Sequence, residues 1–339
     1  MKRPDAWFFR ILVYAGLGFA LVNGRSSETK AENRFPEYRQ KEYFQAKAKA
    51  RAWLDALEVD PVELLSHGVK GKKKLAEILD CYLTLLKHTK DEADRATLRR
   101  RVEQLSRKAA RPDYHDMARV TDRQFTENSM SYLRVAWLMK LHGINIEEYR
   151  KEILKIQPRL DAHLPRRGPW QQAMFLEYYE RFALKKPSGL RPVPLRDGVI
   201  ARRLSAERYN DNETYDFTHE VFVAFDYGNQ WTQSRFSDAD LKYIRDTLPK
   251  LIGRYIAADD ADLVGELTSC MAYFGWQGHS AHREAVDFLL NSQNSNGSWG
   301  NYEAYRSHFG KYLDQHLYLH TTMVVLQPLL QTYEESSRK

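Results

Sequence analysis

Cysteine is nearly absent: Cys81 and Cys270 are the only two in 339 residues and stand 189 positions apart. Nothing in that spacing favours a disulfide framework, so each thiol is left to be buried or bound to a metal. Period-two alternation of apolar and polar residues is missing too, which removes the usual signal of a half-buried sheet. The uncharged run "ILVYAGLGFALVNG" at 11–24 falls short of the roughly 20 residues that a membrane span wants. Basic runs do occur, "KGKKK" at 70–74, "RRR" at 99–101 and Arg pairs beginning at 166 and 202. No nucleic-acid motif accompanies them, so they read as solvated helix faces and no nucleic-acid partner is expected.

Lys2, Arg3 and Arg10 precede the apolar run and Gly24 follows it, the arrangement of a secretion signal. Residues 1–24 are therefore expected to be a signal peptide, or an N-terminal anchor beginning at Trp7 if uncleaved, and residues 25–37 a linker. This predicts an exported protein, periplasmic or extracellular, touching a membrane only through that segment. Loss of residues 1–24, with three basic residues and one acid, takes the formal charge from +7 to +5.

The remainder is globular by composition, with 43% apolar and 29% charged residues, and its 12% aromatic content suits a ring-lined core or cavity. Apolar residues at helical spacing run through "YRQKEYFQAKAKARAWLDALEV" and "PVELLSHGVKGKKKLAEILDCYLTLLKHT", the latter opening on Asp60 as N-cap and Pro61 as first helical residue. These are the N-terminal helices, 38–113. From 114 to 335, charged amphipathic segments such as "DADLKYIRDTLPKLIGRYI" alternate with apolar, aromatic ones such as "YDFTHEVFVAFDYG", "DLVGELTSCMAYFGW" and "YLDQHLYLHTTMVVLQPLL". The apolar members recur about every 45–50 residues, the length of a helical hairpin. Each needs cover from its partner and its neighbours, and a closed ring supplies both without capping repeats. The expected fold is all-α: an α/α toroid of about six hairpins, with an inner barrel inside an outer ring.

The stretch "REAVDFLLNSQNSNGSWG" adds a motif. Phe288, Leu289 and Leu290 end a helix, and Gln293, Gly297 and Trp299 follow in a loop. It resembles the QW motif of the squalene cyclase and protein prenyltransferase superfamily. The resemblance implies an α/α toroid over roughly residues 115–335 and structural roles for these residues: Gly297 to turn the backbone, Trp299 to fill the gap between hairpins, Gln293 to bond carbonyls left free at a helix end.

Chemistry is expected on the inner helices. Turning "YDFTHEVFVAFDYG" by about 100° per residue puts Phe217, Val221, Ala224 and Phe225 on one side and His219 with Asp226 on the other. In "DLVGELTSCMAYFGW" the polar side holds Asp262, Glu266, Ser269 and Tyr273, with Cys270 at its border. A stripe of His316, His320 and Gln327 runs through the last helix. His219 to Cys270 is 51 residues and Cys270 to His320 is 50, which places the three at one level of successive repeats. Two imidazoles and a thiolate suit tetrahedral Zn²⁺, the fourth position left for water, Glu266 or substrate. Prenyltransferases and lanthipeptide cyclases, which share the toroid, carry zinc on Cys and His ligands, although this chain has neither the Asp-x-Cys pair of the first nor the Cys-His pair of the second. The expectation is a metal site of His219, Cys270 and His320, with Glu266, Asp226 and His316 as catalytic groups and His219 and His320 as further acid–base partners. The bland alternative is a core cysteine and two hydrogen-bonded histidines.

Weaker signals are "DDAD" at 259–262, read as a loop with Asp262 as N-cap, and "THE" at 218–220, which lacks the second His of a zincin. Tyr132, Tyr178, Tyr179 and Tyr273 would serve if the substrate were a glycan. Two functions follow. One is a metal-assisted enzyme of the cyclase, transferase or lyase kind acting on a small-molecule, glycan or peptide substrate in an aromatic-lined cavity. The other is a noncatalytic ligand- or peptide-binding scaffold of the same fold.

Overall fold

Side-chain capping sets where many of the helices begin. In the computed structural model, which describes residues 37–66, 71–187, 194–228 and 236–335, helix dominates and no strand occurs among the described residues. The helices are α1 (Gln40–Ala56), α2 (Pro61–Ser66), α3 (Gly71–His88), α4 (Glu92–Ala109), α5 (Asp122–Leu141), α6 (Glu147–His163), α7 (Pro169–Arg181), α8 (Val199–Arg202), α9 (Asp211–Ala224), α10 (Asp238–Ala257), α11 (Ala261–Tyr273), α12 (Ser280–Asn291), α13 (Arg306–Phe309) and α14 (Leu319–Leu330). The expected signal peptide and residues 25–36 of the linker lie outside the described residues. No described helix is long and apolar enough to cross a membrane.

Asp60 caps α2 as its sequence predicts, accepting from the Val62 and Glu63 amides at 2.9 and 3.2 Å. The single helix expected from Pro61 onward is two, α2 ending at Ser66 and α3 opening at Gly71. Thr121 with Gln124 and Ser237 with Asp240 form capping boxes at α5 and α10.

The chain divides into two units that interleave along the sequence, the first formed by described residues 60–201 and 215–223, the second by 37–59, 202–214 and 224–335. In the first, α3 packs against α2, α4 and α5, and α5 against α6 and α7. Its core holds Leu75, Ile78, Leu79, Phe125, Leu133 and Met174, all at most 1% exposed. Asp80 and Arg134 cross this core as a paired charge, Arg134 Nε donating to Asp80 Oδ2 at 2.5 Å. Burial raises the Asp80 carboxyl to about 7 against the opposing pull of the guanidinium. Lys72 and Lys73 of the basic run do not lie on a solvated face: they are 4% and 5% exposed. Lys72 Nζ pairs with Asp116 at 2.7 Å and lies over the Tyr114 ring, while Lys73 and Lys74 both reach Glu77.

In the second unit α11 packs against α10, α12 and α14, and α1 lies against α12 and α14. All 13 residues of α11 and all 12 of α14 are buried, whereas α10 and α12 bury one face. The alternation of apolar and amphipathic segments in the sequence is thus an alternation of enclosed and covering helices.

The loop after α12 ties this unit together. Trp299, fully buried, donates from Nε1 to Leu289 O at 2.6 Å, one of the carbonyls α12 leaves free at its end. Gln293 Nε2 instead reaches Ala46 O, in the middle of α1, at 2.8 Å, and Gly297 O at 3.0 Å. The tryptophan is therefore the group that bonds a helix-end carbonyl, and the glutamine joins the loop to another helix. Gly297 holds φ at +99°, and a Cβ there would collide with Lys49 O of α1.

Candidate metal centre

Asp262 and Glu266 stand one turn apart on α11 and so share a face. His320, 58 residues beyond Asp262, is the second residue of α14. One potential ligand atom from each of the three lies within 4.8 Å of the others, and His320 Nε2 is 3.2 Å from Asp262 Oδ1. The residues are 1%, 1% and 5% exposed. Two carboxylates enclosed beside an imidazole carry a large desolvation cost unless a proton, hydrogen bonds or a cation offset it.

Local structure brings them together. Asp260, not Asp262, is the N-cap of α11, its carboxylate accepting from Leu263 N at 3.0 Å. That frees Asp262, in the first turn, to point its carboxylate inward near the positive end of the helix. Gly265 permits the approach of the two helices, since a Cβ on it would sit 3.0 Å from both Val324 Cγ1 and Val324 O. Thr321 donates to Asp262 Oδ1 at 3.3 Å and pairs with Tyr302 Oη at 2.5 Å. Further along, Gln327 Nε2 donates to Tyr273 Oη at 3.3 Å, so the polar stripes of α11 and α14 meet over more than one turn.

Of the residues expected at the site, Glu266 and His320 belong to this group. Cys270, one turn after Glu266, does not; burial and the Glu266 carboxylate push its thiol well up from the ordinary range. His219 lies in the first unit. Its Nδ1 is 2.8 Å from Tyr215 O of its own helix, and its ring packs on Trp170 at 4.5 Å. His316 falls in the π-turn Asp314–Tyr318, where it stacks on Phe309 at 5.0 Å. His316 is buried there and is not among the three residues whose ligand atoms converge. Asp226 follows α9 at φ 44°, half-buried in a left-handed turn and outside the group.

Asp262 was legible as a member of the polar side of α11, but its neighbour Asp260 competes for the same sequence signal, a cap. Glu220 of "THE" serves the fold: its carboxylate accepts from Val199 N and Ile200 N at 2.6 and 3.1 Å, satisfying the start of α8. Tyr132 Oη is 3.0 Å from His115 Nδ1 and Tyr179 donates to Asp161 at 2.5 Å, while Tyr178 is enclosed near the Arg134 guanidinium.

Chemically, one nitrogen and two carboxylate donors form a three-residue set for a divalent cation that leaves a coordination position open. A family model described as "Domain of unknown function (DUF6895)" matches residues 47–326. No curated protein and no solved structure matches the chain.

Proposed function

The chain belongs to the DUF6895 family, and we propose that this member is a metal-dependent protein whose Asp262, Glu266 and His320 hold one divalent cation, zinc first among those the donors suit. The observation that carries the reading is the approach of the three potential ligand atoms within 4.8 Å of one another in a buried setting. A cation held there supplies Lewis-acid polarisation of a substrate oxygen or a bound water. His320 would provide the borderline ligand and Asp262 the anionic one, with Glu266 either completing the set or taking a proton from the bound group. The reaction class in keeping with the sequence resemblance is that of a cyclase, transferase or lyase on a small-molecule, glycan or peptide substrate. Elemental analysis of the purified chain tests the metal: one equivalent of a divalent metal is expected, lost in His320→Ala and Glu266→Gln. Absence of metal from the wild type, before and after incubation with Zn²⁺ or Mn²⁺, refutes it.

A second reading, a noncatalytic scaffold, is favoured by the near-complete burial of all three residues. The same cation would then fasten α11 to α14. Chelation separates the two: it lowers the melting temperature in either case, but only an enzyme loses turnover at temperatures where it stays folded. The α/α toroid remains our reading for residues 114–335, supported by the enclosed and covering helices of the second unit, and a crystal structure tests ring closure. Export is supported by the basic and apolar pattern of residues 1–24, and N-terminal sequencing of the mature protein tests it.

A further inference from the structure

Asp262 Oδ1 has among its polar neighbours His320 Nε2 at 3.2 Å and the Thr321 hydroxyl at 3.3 Å. A threonine hydroxyl has one hydrogen to give. With that hydrogen directed at Asp262, the Thr321 oxygen is an acceptor toward Tyr302 Oη, 2.5 Å away, and the phenol must be the donor. The chain of bonds therefore runs one way, from Tyr302 through Thr321 to the Asp262 carboxylate.

The start of this chain is itself fixed. Tyr302 N donates to Tyr318 Oη at 3.2 Å, and the two rings meet edge to face at 5.1 Å. Gly300, at φ +107°, leaves open the space that the Tyr302 ring occupies; a Cβ there would collide with it. Trp299 N donates to Thr322 Oγ1 at 3.0 Å, holding the loop to α14 beside Thr321. Tyr302 and Thr321 are 5% and 0% exposed, so both hydroxyls are enclosed from bulk solvent. Packing alone would be served by Phe and Val at these positions. The paired hydroxyls are what packing leaves unexplained.

We propose that Tyr302 and Thr321 are positioning residues of the Asp262–Glu266–His320 centre, fixing the rotation of the Asp262 carboxylate and so the affinity and geometry of the bound cation. This rests on the reading of the centre as a cation site. It also gives the loop at 293–302 a role beyond stapling helices, because the loop delivers Tyr302 to the relay. Outer-shell partners of metal ligands typically set affinity by about 10–100-fold.

The experiment titrates Co²⁺ alone into the metal-free full chain and follows its visible d–d bands, alongside melting temperatures measured without metal. Tyr302→Phe and Thr321→Val are expected to weaken Co²⁺ binding by about 10-fold or more and to shift the bands. Thr321→Ser, which keeps the hydroxyl, restores both. Without metal, the drop in melting temperature caused by Tyr302→Phe is expected to shrink in an Asp262→Ala background, where the acceptor that ends the relay is gone. Wild-type affinity and spectrum in Tyr302→Phe and Thr321→Val, with additive melting shifts, overturn the relay. A wild type that binds no Co²⁺ while the melting shifts stay non-additive overturns the metal reading and leaves the positioning of Asp262 standing.

Discussion

Replacing Gly265 by alanine sets two effects against each other inside one helix. Alanine is favoured over glycine in a helix interior by about 0.8–1 kcal/mol, and Gly265 lies mid-way along α11. Its new Cβ would stand 3.0 Å from Val324 Cγ1 and Val324 O, so α14 must retreat by a few tenths of an ångström. Overpacking of that kind costs about 1–3 kcal/mol. The expected net loss of stability is therefore small, about 0–2 kcal/mol. The consequence for the centre is larger. Gly265 adjoins Glu266, and Val324 is one turn after His320, so the retreat separates donor atoms whose metal distances tolerate only about ±0.2 Å. Zn²⁺ affinity should fall by about tenfold or more, the equivalent of about 1.4 kcal/mol, while the far-ultraviolet circular dichroism is unchanged. Isothermal titration with Zn²⁺ and thermal melting of both proteins measure the two quantities. Wild-type Zn²⁺ affinity in Gly265→Ala, together with a melting temperature raised by the full propensity gain, would refute the close packing of α11 on α14 and the argument built on it.

Arg134→Met leaves the Asp80 carboxyl buried without its partner and should cost about 3–5 kcal/mol in urea unfolding, whereas adding Asp80→Leu should recover most of it; equal losses in the single and double variants would contradict a desolvated pair. His282 is enclosed beside Thr332, and burial lowers its pKa to about 3 from 6.5. The unfolded chain therefore binds the proton first as pH falls, and the contribution of this group to stability drops between pH 6.5 and about 3 by about 1.4 kcal/mol per unit. His282→Gln should flatten that slope in melts across the window, and an unchanged slope would exclude His282 as its source. Trp299→Phe keeps most of the ring but removes the bond to Leu289 O, with an expected loss of about 1–3 kcal/mol; a loss below the error of a urea titration would show that the bond is dispensable.

Much of the helical architecture was legible in the residues. The Asp60–Pro61 start and the contrast between enclosed and covering segments in the second unit both follow from periodicity and capping, which act within a few residues. The loop glycine at 297 and the tryptophan at 299 were also readable as structural, though the bond to a helix-end carbonyl expected of Gln293 is made by Trp299. The site was legible by halves. Glu266 and His320 were recognisable as polar residues on otherwise apolar helices, but equal spacing of about 50 residues suggested His219 and Cys270 as their companions, whereas the residue that converges with them is Asp262.

What sequence determined, then, is whatever rests on short-range physics: helix type, many of the caps, the apolar faces and the polar positions on α11 and α14. Tertiary structure alone decided which polar positions meet. Gly265 let two buried helices close on each other, and Thr321 of α14 came to donate to Asp262 of α11. Each depends on a contact or a register between segments distant in sequence, where the energy of one close approach outweighs any local preference.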